Sequence, residues 1–314
     1  MKIRIGTRGS KLALVQTATV SDALRSAHPD LVVESIDIKT IGDLKQGTPL
    51  ASKGDKKDWI YELELGVLGD HFDLVVHSGK DIPSDIEKGT ETMPVLERVN
   101  PNDCFIGRIV NGRRLSFKEL PDGAIVGTAS LRRRASLLRI RPDLNVVEHR
   151  GNVTTRIEKL DASPTMMGII IASAGLERLN LSNVTWENLS PSDLIPAINQ
   201  GTLVVQFRED RDDVRQVVKA LIHPPTYATW AAERACCVKL QGDCRSCISI
   251  FASIEGDMVR LTSRVMSLNG KTSLEYSAVS SFDRAHELGT TVGDTLVAQG
   301  ARKIIEESRK DLMT

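Results

Sequence analysis

Long apolar runs are missing from this 314-residue chain: no stretch approaches the roughly 18–20 consecutive apolar residues of a membrane span. Its start, Met1-Lys2-Ile3-Arg4-Ile5-Gly6, lacks the apolar core of a secretory signal and reads as a strand, so a cytoplasmic location is expected. Net charge is missing as well. Lys+Arg and Asp+Glu both number 41, which leaves no global field to recruit nucleic acid or an anionic membrane. Anion binding must therefore come from local clustering. Aromatic residues make up only 4% of the chain, too few for the stacking platforms that hold single-stranded nucleic acid. Five cysteines, an odd count in a large chain, argue against a disulfide framework. What remains, 41% hydrophobic and 26% charged, describes an ordinary globular protein long enough for two or three domains.

Ile3 and Ile5 alternate in a first strand that stops at Gly6-Thr7-Arg8-Gly9-Ser10, with Ser10 placed to cap the next helix. Val20, Ala23, Leu24 and Ala27 form that helix's apolar face, and Leu31 to Ile38 reads as the second strand. Residues 48–58 are a polar loop, followed by a helix from about Trp59 to Leu68. Leu74-Val75-Val76 is a strand buried on both faces. It opens onto His77-Ser78-Gly79-Lys80-Asp81, where open α/β sheets hold their ligands. A solvated ion pair on a surface turn is the alternative reading of Lys80 and Asp81.

The pattern then repeats. Ala124-Ile125-Val126-Gly127 is a strand, Thr128 and Ser130 supply capping hydroxyls, and Leu131, Ala135 and Leu138 make a helical face. Arg132, Arg133, Arg134, Arg139 and Arg141 are expected on its exposed sides. Val146-Val147 leads to His149-Arg150-Gly151-Asn152 and a helix with Val153, Ile157 and Leu160 inward and Arg156 outward. Met166 to Ile171 is a further strand, with Arg178 a turn beyond it. Arginines thus recur after successive strands: Arg8, Arg132, Arg133, Arg150, Arg156 and Arg178. In parallel α/β folds such turns share one edge. Guanidinium groups gathered there repel one another unless a polyanion is present.

Leu203 to Phe207 is another buried strand, Val214, Val217, Val218 and Leu221 mark the following helix, and His223-Pro224-Pro225 reads as a domain boundary. Beyond it Thr226 is placed to cap an Ala-rich helix. Strands turning at Glu255-Gly256-Asp257 and Asn269-Gly270 follow, then one last long helix through Leu288, Val292 and Leu296. This reads as a small α+β domain. Four of the five cysteines lie between Cys236 and Cys247. Only one C-x-x-C spacing exists, and adjacent helical residues point about 100° apart, so no metal site is expected. Cys104, Cys236 and Cys237 read as buried apolar residues. Cys244, in a Gly-bearing loop beside Arg245, has surroundings that favour a thiolate.

Five segments taken together resemble the hydroxymethylbilane synthase (porphobilinogen deaminase) family. They are Gly6 to Leu14, His77 to Pro83, Gly127 to Arg133, Arg150 to Arg156, and Gln241-Gly242-Asp243-Cys244, in family order and spacing. The resemblance implies an α/β fold: two periplasmic-binding-protein-like (type II) α/β domains around a cleft, plus a C-terminal small α+β domain. The implied boundaries are 1–97 with 198–220, 98–197, and 221–314. It also implies head-to-tail condensation of porphobilinogen with loss of ammonia on a dipyrromethane cofactor, releasing a linear tetrapyrrole. Cys244 would hold that cofactor as a thioether. Asp81 would stabilise the cationic azafulvene formed as ammonia leaves, an effect on the order of 4 kcal/mol at about 4 Å and an effective dielectric near 20. Arg8, Arg132, Arg133, Arg150, Arg156 and Arg178 would pair with acetate and propionate arms, while Ser10, Lys80, Ser130 and Lys56 match lesser contacts. A monomer acting on a small molecule, with no nucleic-acid or membrane partner, is expected.

The sequence departs from the family pattern in several places. Gly79 stands where the family has Met, and Ile198-Asn199-Gln200-Gly201 replaces Val-Gly-Gln-Gly. Residues 52–61 lose glycines, and Arg245-Ser246-Cys247 follows the cofactor position, making Cys247 a competing thiol. The alternative function is a homologue with weak or no turnover, cofactor-loaded or cofactor-free, that binds anionic small molecules.

Overall fold

The computed structural model describes residues 1–38, 57–242 and 246–312. Lys56 and Cys244 lie outside the described residues, as do the Lys53–Asp55 part of the polar loop and Arg245.

The chain opens with β1 (Lys2–Arg8), α1 (Lys11–Ala27), β2 (Val32–Ile38), α2 (Lys57–Leu68), β3 (Leu74–Ser78) and β4 (Thr90–Val95). Ser10 caps α1, its hydroxyl accepting the Ala13 N–H at 3.3 Å. Val20 and Leu24 are fully buried, whereas Ala27 is exposed in the last turn. A distant strand, β12 (Leu203–Arg208), completes the sheet in the order β2-β1-β3-β12-β4. It runs antiparallel to both neighbours, Leu203 pairing with Ser78 and Val95. Ile3, Ile5, Leu74, Val205 and Phe207 form the core with Val214 and Val218 of the helix after β12.

The second sheet is built from β5 (Asp103–Gly107), β8 (Ile125–Gly127), β9 (Asn145–Val147), β10 (Met166–Ala172) and β11 (Glu187–Asn188). Between β5 and β8 lies a two-residue hairpin, β6 (Ile109–Val110) and β7 (Arg113–Arg114). Helices α3 (Leu131–Ile140), α4 (Val153–Ala162) and α5 (Ser173–Arg178) fill the crossovers. Its order is β11-β5-β10-β8-β9, with β5 antiparallel to β10 and β11. Read from β9 and from β2, the two sheets share one pattern, three parallel strands, one antiparallel strand, then a last strand. In both, the antiparallel strand is the one entered by a crossover from the other sheet. This is the periplasmic-binding-protein-like (type II) α/β arrangement.

Strand direction fixes what reaches the edge. An antiparallel strand starts where its parallel neighbours end, so Asp103 pairs with Ala172 at the end of β10 and Leu203 with Ser78 at the end of β3. The two crossover segments, residues 96–102 and 197–202, therefore lie at the edge where the strand-end arginines emerge, and they touch through Val99 N–H to the Gly201 carbonyl at 3.3 Å.

After α6 (Asp212–Lys219), α7 (Pro224–Leu240) enters the third unit. The expectation that Thr226 caps this helix is corrected. His223 occupies the N-cap with prolines in the first positions, where a missing N–H costs nothing. The Thr226 hydroxyl instead accepts the Arg98 N–H at 3.0 Å. A three-stranded antiparallel sheet, β13 (Ile248–Glu255), β14 (Met258–Met266) and β15 (Ser273–Ser281), packs under α8 (Ala285–Ala298). The single last helix of the sequence reading is also corrected: the chain turns at Gly300 and runs on as α9 (Ala301–Asp311), burying Ala301, Ile304 and Ile305. Among the described residues no helix is long and apolar enough to cross a membrane.

One buried ion pair ties this unit to the crossovers. Glu233 of α7 is fully buried and meets Arg98 at 2.7 Å, and it accepts the N–H groups of Ala252 at 2.7 Å and of Asn199. Arg98 reaches on to the Gln200 carbonyl at 2.8 Å.

Candidate active site at the crossover edge

Parallel pairing of β1 with β3 brings their C-terminal ends together, so Arg8 and the turn carrying Asp81 lie at one edge of the first sheet, and both charges act on His77. Asp81 closes a single 3-10 turn, Gly79–Asp81, directly after β3. Beneath it, His77 is buried with Nε2 3.1 Å from Gln206 Oε1. Burial pushes its pKa down to about 4, although Gln206 and the nearby Asp81 charge oppose the shift and Arg8 adds to it. His77 is thus a neutral strut. Gln206 passes the network on to Glu64 at 2.9 Å and Thr90 at 2.8 Å.

From the second sheet come Ser130, Arg132, Arg133, Arg150, Arg156 and Arg178. Ser130 caps α3, accepting the Arg133 N–H at 3.4 Å. Arg132 and Arg133, expected on the exposed side of α3, are buried instead. The reason is Asp103, a fully buried carboxylate at the start of β5. It meets Arg132 at 2.7 Å and Arg133 at 2.8 Å, while another N–H group of each reaches the carbonyl of Ile195 or Ile170 respectively. Burial alone would raise the Asp103 pKa. The charges of Arg132 and Arg133, with Gln200 donating at 2.9 Å, outweigh it and hold the pKa down at about 2.

Gln200 is the bridge between the sheets. Its Oε1 accepts from Lys80 at 3.5 Å and from Arg133 at 3.4 Å, and its amide also donates to the Pro101 carbonyl at 2.7 Å. Arg156 donates to the Gly151 carbonyl at 2.7 Å. Its burial, with Arg133 and Arg150 close by, pulls its pKa down to about 10 against the opposing pull of Asp81. Arg178 reaches the Gly201 carbonyl at 2.7 Å, and burial likewise lowers its pKa to about 10. Both remain charged at neutral pH. Arg150 is paired with Glu148 beside it in sequence. The Asp81 charge from the first sheet thus acts on Arg156 of the second, which also feels Arg133 and Arg150 of its own sheet, while Asp81 and Arg8 both act on His77.

Cys247 is the described cysteine nearest in sequence to Cys244. It donates weakly to the Leu131 carbonyl at 3.6 Å, next to the Ser130 cap. Its exposure of 1% and packing against Ala135 and Met266 push its thiol pKa up to about 12. Cys247 is therefore not a competing thiol, because it is protonated and covered. Cys104 and Cys236 are buried with pKa values pushed up to about 12 in the same way.

Models of two families match the sequence: "Porphobilinogen deaminase, dipyromethane cofactor binding domain" over residues 3–216, and "Porphobilinogen deaminase, C-terminal domain" over residues 227–298. The chain belongs to the porphobilinogen deaminase family. A porphobilinogen deaminase of Geotalea uraniireducens (strain Rf4) is 40% identical over 306 residues, 97% of this chain and 94% of that one. One from Geobacter sulfurreducens is 39% identical over 307 residues, 98% of this chain and 94% of that one. The family's dipyrromethane cofactor suits the charges found here. Arg156 is crowded by Arg133 and Arg150, a cost that a ligand bearing several carboxylates would relieve.

Sequence reasoning missed Asp103, Asn199, Gln200 and the Arg98–Glu233 pair. A carboxylate opening the apolar run Cys104-Phe105-Ile106 was the available signal for the first. Gly79 and Asn199, both departures from the family pattern, are in contact.

Proposed function

We propose that this chain is a working porphobilinogen deaminase that joins porphobilinogen units head to tail, with loss of ammonia, on a dipyrromethane held by Cys244, and releases hydroxymethylbilane. The observation that carries the reading is one carboxylate, Asp81, set among cations contributed by both sheets at the crossover edge. The bound dipyrromethane supplies the pyrrole terminus to which each new unit is added. Asp81 accepts from pyrrole N–H groups and faces the positive charge that develops as ammonia leaves. Arg8, Arg150, Arg156 and Arg178 take the carboxylate arms of cofactor and growing chain, with Ser10, Lys80 and Ser130 as hydrogen-bonding neighbours.

Arg132 and Arg133 play a narrower part. Asp103 occupies much of their donor capacity, so they set the local field and the position of α3, and offer only their outer faces to ligand. Lys56 is proposed as a contact from the polar loop. The division into domains 1–97 with 198–220, 98–197 and 221–314 is proposed, supported by the two five-stranded sheets and the three-stranded one. Balanced charge supports a small-molecule substrate and no nucleic-acid or membrane partner, and a cytoplasmic monomer is proposed with it.

Intact mass before and after incubation with porphobilinogen tests the reading. A mass increase of two deaminated units that maps to Cys244, followed by release of linear tetrapyrrole, is expected. A bare polypeptide mass after substrate exposure overturns it. Asp81→Asn should keep the adduct while kcat falls by about 10²–10³. Unchanged turnover in that variant removes Asp81 from its role.

A further inference from the structure

The 3-10 turn carrying Lys80 and Asp81 rests directly on the returning crossover. Gly79 donates its N–H to the Thr202 carbonyl at 2.9 Å. A Cβ at residue 79 would stand 2.9 Å from the Asn199 carbonyl oxygen, 3.0 Å from Asn199 Cβ and 3.3 Å from Thr202 Cβ. No ordinary side chain fits there without moving one of the two backbones. Asn199 is 1% exposed and sits at φ 52°, a left-handed conformation that Asn tolerates better than most residues. Its own N–H is anchored by Glu233, so the crossover is the fixed partner of this contact and the turn is the part that gives.

The Asn199 side chain has a further peculiarity. Neither atom of its amide has a hydrogen-bond partner among the described residues, although both are buried. A buried amide in that state is a cost to stability. What the side chain does supply is bulk: its Cβ, with the backbone carbonyl beside it, takes up the space that a side chain at residue 79 would need.

We infer that Asn199 is a positioning residue for the reaction: matched in size to Gly79, it sets the height of the 3-10 turn and hence the place of Asp81. The turn moves as a unit because the Ile82 N–H closes it onto the Gly79 carbonyl at 3.3 Å. A shift at residue 79 therefore appears at Asp81, and small misplacements of a reacting group are expensive in rate. The inference rests on the proposed role of Asp81.

The test compares four full-length, cofactor-loaded proteins whose adducts are verified by mass: the parent, Gly79→Ala, Asn199→Gly and the double variant. Gly79→Ala should lower kcat about tenfold with KM for porphobilinogen within about twofold of the parent. Asn199→Gly should lower kcat about threefold by freeing the turn, with no fall in the urea unfolding midpoint because a buried unpaired amide is removed. The double variant should recover part of the Gly79→Ala loss, giving non-additive effects as expected for residues in contact. Equal loss from Gly79→Ala in both backgrounds overturns the inference, as does a rise in KM at constant kcat. Should Gly79→Ala not fold, Asn199→Gly alone decides, and parental kcat there is a refutation. Asp81→Asn run alongside separates the two readings. If it turns over normally, the role of Asp81 has failed; if it is inactive while Gly79→Ala keeps parental kcat, the positioning inference has failed.

Discussion

Asp103→Asn removes the only charge that faces Arg132 and Arg133 within hydrogen-bonding reach among the described residues, while leaving the shape of the site almost unchanged. Two guanidinium groups would then share a buried space with a neutral amide. Breaking a buried pair by deleting one partner costs about 3–5 kcal/mol. The native pKa gives a second measure. Asp103 is held at about 2 against an ordinary 3.8. At 1.36 kcal/mol per pH unit, that corresponds to about 2–3 kcal/mol of stability. A depressed carboxylate contributes fully above its unfolded pKa and loses its contribution as pH falls through the native value. The parent should therefore lose this stability between about pH 4 and pH 2. Equilibrium urea unfolding followed by tryptophan fluorescence reads both effects, since Trp186 packs on the core of the second sheet. The variant should be weaker by about 3–5 kcal/mol at pH 7, and the gap should narrow as both proteins are taken toward pH 2. A difference below about 1 kcal/mol at pH 7, or a gap that widens on acidification, refutes the assignment of Asp103 as the counter-charge.

Cys247→Ser should leave cofactor loading unchanged by mass, and Cys247 in the folded parent should resist alkylation at neutral pH, since its thiol is covered and pushed up to about 12. Rapid labelling of Cys247 without unfolding would contradict this. Arg156→Gln should lower kcat/KM about tenfold or more through loss of a charge-assisted contact. It should cost no stability, because Arg156 is crowded by Arg133 and Arg150, and a fall in unfolding midpoint would show instead that it serves the fold. Gly201→Ala should destabilise strongly: residue 201 sits at φ 90° and a Cβ there would lie 2.4 Å from the Val99 carbonyl oxygen. A urea midpoint equal to the parent's would mean that the paired crossovers yield more easily than their contact suggests.

Local rules carried much of the fold. Capping by Ser10 and Ser130, the apolar run Leu74-Val75-Val76 and the turns at Gly256 and Gly270 could be read because each depends on neighbours in the chain. The burial of Arg132 and Arg133 could not be read. Their partner Asp103 is far away in sequence, and a pattern rule sends an arginine to solvent unless a counter-charge is known. Gln200 and Asn199 escaped for a topological reason, since their place at the site follows from the antiparallel direction of β12, which leaves no trace in periodicity. The α9 helix was missed because its buried stripe, Ala301, Ile304 and Ile305, is short and follows a glycine that reads as an ending.

The insertion of β12 between β3 and β4 also orders events during synthesis. Every strand of the second sheet has been made by residue 188, so that sheet can close while the chain is still growing. The first sheet cannot. Until Leu203–Arg208 emerges, β3 presents an open edge and β4 has no neighbour. Open strand edges invite pairing with other chains, and pairings distant in sequence form slowly. The N-terminal third of this protein is thus the last α/β part to be completed and the part most in need of protection while the ribosome works. A chain truncated near residue 195 and released from the ribosome should carry a protease-resistant second sheet beside an unprotected first one.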